Sequence, residues 1–152
     1  MSKRIITLLL AAVMLACCAS LTACRKKEEV KTPTEAAQRY DSLQDIKEEL
    51  DFDIKVPKGI DVEAYQIYKK NTLQVVFDGG YIRKKLASKY IGGKIEGAEV
   101  KKETIGDKEI RFYYKDDKVY LASWIEGQYA YCIGFHLGVE KDAALQYIAE
   151  IE

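Results

Sequence analysis

His136 is the only histidine in the chain, and it stands four positions after Cys132. A thiol beside an imidazole is a nucleophile and base pair, and the pair works only within about 3 Å. The surrounding residues, QYAYCIGFH, alternate like a strand. On a strand this spacing puts the two side chains about 13 Å apart. They read instead as a buried small thiol and a histidine near a strand end. One histidine also excludes a multi-histidine metal site and HExxH-type hydrolysis. Ser88 and Ser123 stand in no G-x-S-x-G elbow. The run GGKIEG, Gly92 to Gly97, has glycines and Lys94 but not the phosphate-loop order G-x-x-x-x-G-K-S/T, and reads as a bend. Asp51 with Asp53, and Asp116 with Asp117, lack the spaced oxygen ligands and glycine of a calcium loop, and read as turn and strand-flanking charges. No catalytic residue, metal ligand or cofactor is expected.

Two groups of residues remain that could bind rather than react. Arg83, Lys84, Lys85, Lys89 and Lys94 form a basic stretch. Such a stretch contacts anionic lipid or wall polymer, or is a solvated face. Tyr113, Tyr120, Trp124, Tyr129 and Tyr131 lie on neighbouring expected strands. They either pair across the sheet or, if exposed, stack on flat ligands and sugars. Tyr120, Trp124, Tyr129 and Tyr131 are the candidate binding surface, with Tyr120 and Trp124 on one side of their strand.

The elements that must position these residues follow from periodicity. In EAAQRYDSLQDIKEELDF, Leu43, Ile46 and Leu50 recur at helical spacing, and Ser42 with Asp45 forms a capping pair. A helix is predicted near residues 35–50. After Pro57 and Gly59 the period changes. VEAYQIYKK, LQVVFD, YIRKK, AEVKKETI, EIRFYYK, KVYLASWI and QYAYCIGFH read as strands. Asn71, Asp78-Gly79-Gly80, Gly106-Asp107, Asp116-Asp117 and Glu126-Gly127 supply the turns. LASKYIGGKIEG reads as a loop. In the last strand Tyr129, Tyr131, Ile133 and Phe135 point one way; Ala130, Cys132, Gly134 and His136 point the other. The small residues of that second side could admit a packed helix. Val139, Ala143, Leu145, Tyr147, Ile148 and Ile151 give a closing helix with an apolar stripe. The class is α+β: a curved antiparallel sheet, a meander of about six or seven strands, with N- and C-terminal helices packed on it.

The first residues carry an address. Lys3 and Arg4 precede an uncharged run, IITLLLAAVML, Ile5 to Leu15, which is short of the about 20 apolar residues that span a bilayer. Leu21-Thr22-Ala23-Cys24 then resembles the lipobox of bacterial lipoprotein precursors. Cys17 and Cys18 fit it less well, because Leu15 and Cys17 stand where a small residue is expected. The resemblance implies a diacylglyceryl group on Cys24, removal of residues 1–23, and anchoring on the extracytoplasmic face of the membrane. Two acyl chains, at about 0.8 kcal/mol per buried CH₂, hold a protein firmly. Arg25, Lys26 and Lys27 would meet anionic head groups at about 1 kcal/mol each. Residues 24–34 are the lipidated Cys24 and a polar tether, and 35–152 are a single domain. Losing Lys3 and Arg4 leaves the mature chain slightly acidic, without the basic field of a nucleic-acid binder. Cys132 is then the remaining free thiol, so stability must come from packing.

The second half has a further likeness. Val119-Tyr120-Leu121-Ala122-Ser123-Trp124, Gln128-Tyr129-Ala130-Tyr131 and Tyr147-Ile148-Ala149-Glu150-Ile151 resemble an uncharacterised extracytoplasmic family, domain of unknown function four-three-six-seven. Tyr81-Ile82-Arg83-Lys84 and Ile91-Gly92-Gly93 are similar to its middle motifs. The likeness covers roughly residues 50–152 and implies an antiparallel sheet flanked by helices of the Mog1/PsbP type. It implies no catalytic residues, and a setting among Gram-positive lipoproteins and anti-sigma-like proteins. The expectation is a non-enzymatic, monomeric interaction or sensory module beside a membrane protein partner. The alternative is a binder of a small ligand or envelope polymer through the sheet aromatics.

Overall fold

A computed structural model describes residues 37–151. The expected signal segment 1–23, Cys24 and the tether 24–34 lie outside them. No helix among the described residues is long and apolar enough to cross a membrane.

The segment expected as one helix near 35–50 divides in two. Gln38–Tyr40 is a short strand, β1, and Leu43–Leu50 is the helix, α1. Ser42 sets the boundary. Its backbone is extended, its side chain accepts from the Asp45 N–H, and the Asp45 carboxylate accepts from the Ser42 N–H. This reciprocal cap satisfies donors that otherwise lack a partner at a helix start. Upstream of it the chain is free to pair, and Arg39 and Tyr40 align with Gln66 and Tyr65. Asp51, in the left-handed region, closes α1 by donating its N–H to the Lys47 carbonyl.

The seven expected strands follow: β2 (Val62–Tyr68), β3 (Thr72–Phe77), β4 (Gly80–Leu86), β5 (Glu99–Ile105), β6 (Lys108–Lys115), β7 (Lys118–Glu126) and β8 (Tyr129–Val139), then the helix α2 (Lys141–Glu150). With β1 the sheet has eight strands, one more than the upper expectation. All pairings are antiparallel. The order is β1-β2-β3-β4-β8-β7-β6-β5, so the sheet is not one meander. Two meanders meet where β4 pairs with β8. Residues 87–98 carry the chain from β4 to the far edge. Burial explains the placement. Ala130 to Phe135 of β8 are all buried, whereas β5, EVKKETI, buries none of its residues. A strand apolar on both sides belongs at the centre, and a lysine-rich strand at an edge.

Both helices pack on one face. There Ile46 of α1 and Ala144, Ile148 and Ile151 at the C-terminus join Ile67, Val75, Ile82, Phe112, Trp124 and Ile133 in the core. Ala144, not Ala143, is the buried alanine of α2. Tyr147 places its ring 5.6 Å from Phe135 and 6.2 Å from Phe77. Glu150 accepts from the Lys58 N–H at 2.9 Å, and Lys141 pairs with Glu103. The helices therefore cover the large residues of β8, not the side of Ala130, Cys132 and Gly134. A helix laid on a sheet leaves a gap that bulky side chains must fill to native density. Small residues admit something thinner: a bare loop or a flat ring.

The long β8 is irregular. Val119 aligns with Val139 and Leu121 with Gly134, so residues 135–138 bulge from the ladder. His136 donates its N–H to the Gly79 carbonyl and is exposed; Leu137 is 82% exposed. The same irregularity changes the parity of β7. Val119, Ala122 and Trp124 join the core and Tyr120 does not, so Tyr120 and Trp124 do not share a side.

The single tryptophan, Trp124, is 0% exposed. Iodide is therefore expected to quench little of the native fluorescence, and strongly only after unfolding in urea. Ser42→Ala should lower the unfolding free energy by about 1 kcal/mol, measured by urea denaturation.

Candidate functional site

The helix-free face carries a polar line across the sheet. Gln66 aligns with Gln74, Gln74 with Arg83, Arg83 with Cys132, Cys132 with Ser123 and Ser123 with Arg111. Their strand neighbours Ile67, Leu73, Val75, Ile82, Ile133, Ala122, Trp124 and Phe112 are core residues, so strand alternation turns this line away from the helices.

One half of this line is roofed by residues 87–97. Ser123 Oγ lies 2.7 Å from the Ile91 carbonyl oxygen and 3.0 Å from that of Tyr131. The Arg111 guanidinium sits 3.6 Å over the Tyr90 ring, and Tyr90 donates its hydroxyl to Glu109. That bond holds the Tyr90 hydroxyl pKa above the usual phenol range. Gly92 lies so close to the sheet that an added Cβ would meet Leu121 Cδ2 at 2.9 Å, and its φ of 115° already favours glycine. Cys132 is sealed beneath. Burial pushes its thiol pKa up to about 12. It is a packing residue, as the strand spacing from His136 implied.

The other half of the line is open, and Arg83 is its centre. Its Nε donates to Gln74 Oε1 at 2.6 Å, and Gln74 Nε2 donates to Gln66 Oε1 at 3.0 Å. Tyr68 and Tyr81 flank the guanidinium, with ring centres 4.1 and 4.2 Å from Cζ. Gly134 makes this possible. Tyr81 lies flat over it, so near that a Cβ there would meet Tyr81 Cζ at 2.5 Å. A cleft of about 310 Å³ opens here, lined by Tyr68, Lys69, Arg83, Lys85, Gly92 and Gly93, with Thr72 and Ile91. Three basic residues line it, and among the described residues no carboxylate, histidine or thiol does. Such a lining favours an anion over a cation.

The structure thus divides the basic stretch. Arg83 and Lys85 line the cleft; Lys89 and Lys94 are exposed on the loop. Lys84 points the other way. Its Nζ donates to the Asp53 carbonyl at 2.6 Å and stands 4.4, 5.3 and 5.7 Å from the Tyr129, Tyr131 and Phe52 rings. Partial burial draws its pKa down. Lys84 clips the segment after α1 to the middle of the sheet.

The aromatic set is not brought together as a surface. Trp124 and Tyr131 are register partners stacked at 5.3 Å and 6° within the core. Tyr129 is half-buried, 5.3 Å from Phe52, and Tyr120 packs over Gly138. This is the cross-strand pairing arrangement, and Trp124 is 0% exposed. Sequence reasoning missed Gln66, Tyr68, Lys69 and Gln74. A hairpin centred on residues 69–71 implies the Gln66–Gln74 pairing, and that was the available signal. Among the described residues no group of three or more His, Cys, Asp or Glu could hold a metal ion.

Compared with known proteins, the chain matches no family model, no curated protein and no solved structure.

Gly134→Ala should displace Tyr81 and destabilise the fold by about 1–3 kcal/mol, read by urea denaturation. The Cys132 thiol stays protonated in the folded state at a pH where the unfolded thiol ionises. Its contribution is complete below about pH 9 and is lost as pH rises towards about 12. The stability difference between the wild type and Cys132→Ala should therefore shrink steadily above pH 9, measured by denaturation at several pH values.

Proposed function

We propose that this chain is an extracytoplasmic lipoprotein, held to the membrane by a diacylglyceryl group on Cys24. Its domain, residues 35–152, works as a monomeric binding or sensory module rather than an enzyme. A membrane protein partner beside the anchor is part of this reading. The lipobox with its basic start and short apolar run supports the address. The likeness of residues 50–152 to domain of unknown function four-three-six-seven supports the setting, and with it the Mog1/PsbP type as the finer description of the α+β fold.

One observation carries the binding role: the open cleft lined by Arg83 and Lys85, with no acid among its described lining residues. A guanidinium held by Gln74 and two tyrosine rings has a binding geometry before any ligand arrives, which lowers the entropic cost of binding. The alternative, a binder of a small ligand or envelope polymer, is favoured here in a changed place. Trp124 and Tyr131 belong to the core, so the contacting surface is the cleft and not the aromatic set.

Labelled palmitate should enter the wild-type protein and not Cys24→Ala; label in both would refute the anchor. Cross-linking in native membranes, with the full lipidated protein as bait, should enrich one membrane protein. The double substitution Arg83→Gln and Lys85→Gln should reduce that enrichment several-fold. Equal capture by both would mean that the cleft is not the contacting surface.

A further inference from the structure

We infer that the open cleft between Arg83 and the Gly92-Gly93 bend is a binding site for a phosphate ester of the size of glycerol phosphate. This rests on the binding-module reading above and assigns that module its ligand chemistry.

Charge comes first. Arg83 and Lys85 both line the cleft, and among the described residues no carboxylate lines it or pairs with either. Two positive charges in one small space exceed what a single carboxylate would balance. They suit a phosphate monoester, which carries about −1.5 to −2 at neutral pH and presents three acceptor oxygens.

Arg83 is also prepared for such a ligand. Gln74 occupies its Nε, and Gln74 is itself only 8% exposed and held by Gln66. Tyr68 and Tyr81 confine the guanidinium plane from either side. The terminal nitrogens remain, and a guanidinium fork grips a phosphate through parallel N–H bonds. A lysine in the same place would offer a point charge only. The buried Gln74 with its partner Gln66 has no packing advantage over two apolar side chains, which would not need each other's hydrogen bonds. Its consequence is to orient Arg83.

The opposite wall is bare backbone. Gly92 and Gly93 have φ of 115° and 87°, and a Cβ on Gly93 would meet nothing within 4 Å. The chain can thus approach a ligand with no side chain between. About 310 Å³ is at the lower bound of ordinary ligand clefts, about 300–1,000 Å³. It accommodates a phosphate with a short polyol. The same monoester occurs as a soluble ester and as the headgroup of phosphatidic acid.

The test uses the lipidated protein in phosphatidylcholine nanodiscs, titrated calorimetrically with sn-glycerol 3-phosphate. Wild type should bind, and glycerol should not. Arg83→Gln should weaken binding roughly tenfold or more, Arg83→Lys by less, and Lys85→Gln about threefold. Lys101→Gln, on the exposed edge strand, should bind like the wild type. If Arg83→Gln fails to melt cooperatively, Arg83→Lys and Lys85→Gln decide. Nanodiscs containing phosphatidic acid, whose headgroup is a monoester, separate the sources. Weaker apparent binding there identifies a headgroup as occupant, and unchanged binding a soluble ester; either supports the site. No binding by wild type, or equal binding by the cleft variants, overturns the proposal. Continued capture of the membrane partner alongside that failure would leave the binding-module reading intact and remove only the phosphate ester.

Discussion

The pairing of β4 with β8 turns two separate hairpin sets into one sheet. It joins residues about fifty positions apart, so a long loop must close before any of its contacts form. The residues at this seam offset that cost. Ile82 aligns with Ile133 in the core, while Tyr81 aligns with Gly134 and Arg83 with Cys132 on the other face. Every later feature depends on that register. A slip of one residue would turn Ile82 to the helix-free face and Arg83 into the core.

The two faces solve different packing problems with the same strands. Under the helices, large residues fill the gap: Trp124 on Tyr131, and Phe77 and Phe135 against Tyr147. On the other face the small residues Cys132 and Gly134 let thin cover come close. Half of that cover is the 87–97 loop, tied down by Ser123 and by the Tyr90–Arg111 stack. The other half is the Tyr81 ring, beyond which the sheet stays open. The cleft lies where the loop's cover ends and the β2–β3 hairpin begins.

The cations follow the same division. Lys84 satisfies its ammonium with the Asp53 carbonyl and three aromatic rings, and serves the fold. Arg83, one position earlier, has two tyrosine rings beside it and is bonded to Gln74, and it lines the open cleft. Adjacent residues of a strand point to opposite faces. A run of basic residues in sequence therefore becomes one structural clip and one cleft-lining guanidinium.

Much was legible from the chain alone because it rests on local rules. Seven strands and their turns follow from period-two alternation and from Asp-Gly and Asp-Asp punctuation. The start of α1 follows from Ser42 and Asp45, and the buried Cys132 from its place in a strand. Residues 38–40 were assigned to a helix because their composition is helical and their strand role is not local: they pair only because β2 offers an edge. The strand order, the face that the helices choose, the irregularity at residues 135–138 and the burial of Trp124 were decided by tertiary structure. Each depends on which distant strand supplies the neighbour, and periodicity within one strand carries no such information. The candidate site divides likewise. Arg83, Lys85 and Gly92-Gly93 were visible as residue types, but the cleft exists only because the β4–β8 register sets Tyr81 over Gly134 and leaves Arg83 facing an open space.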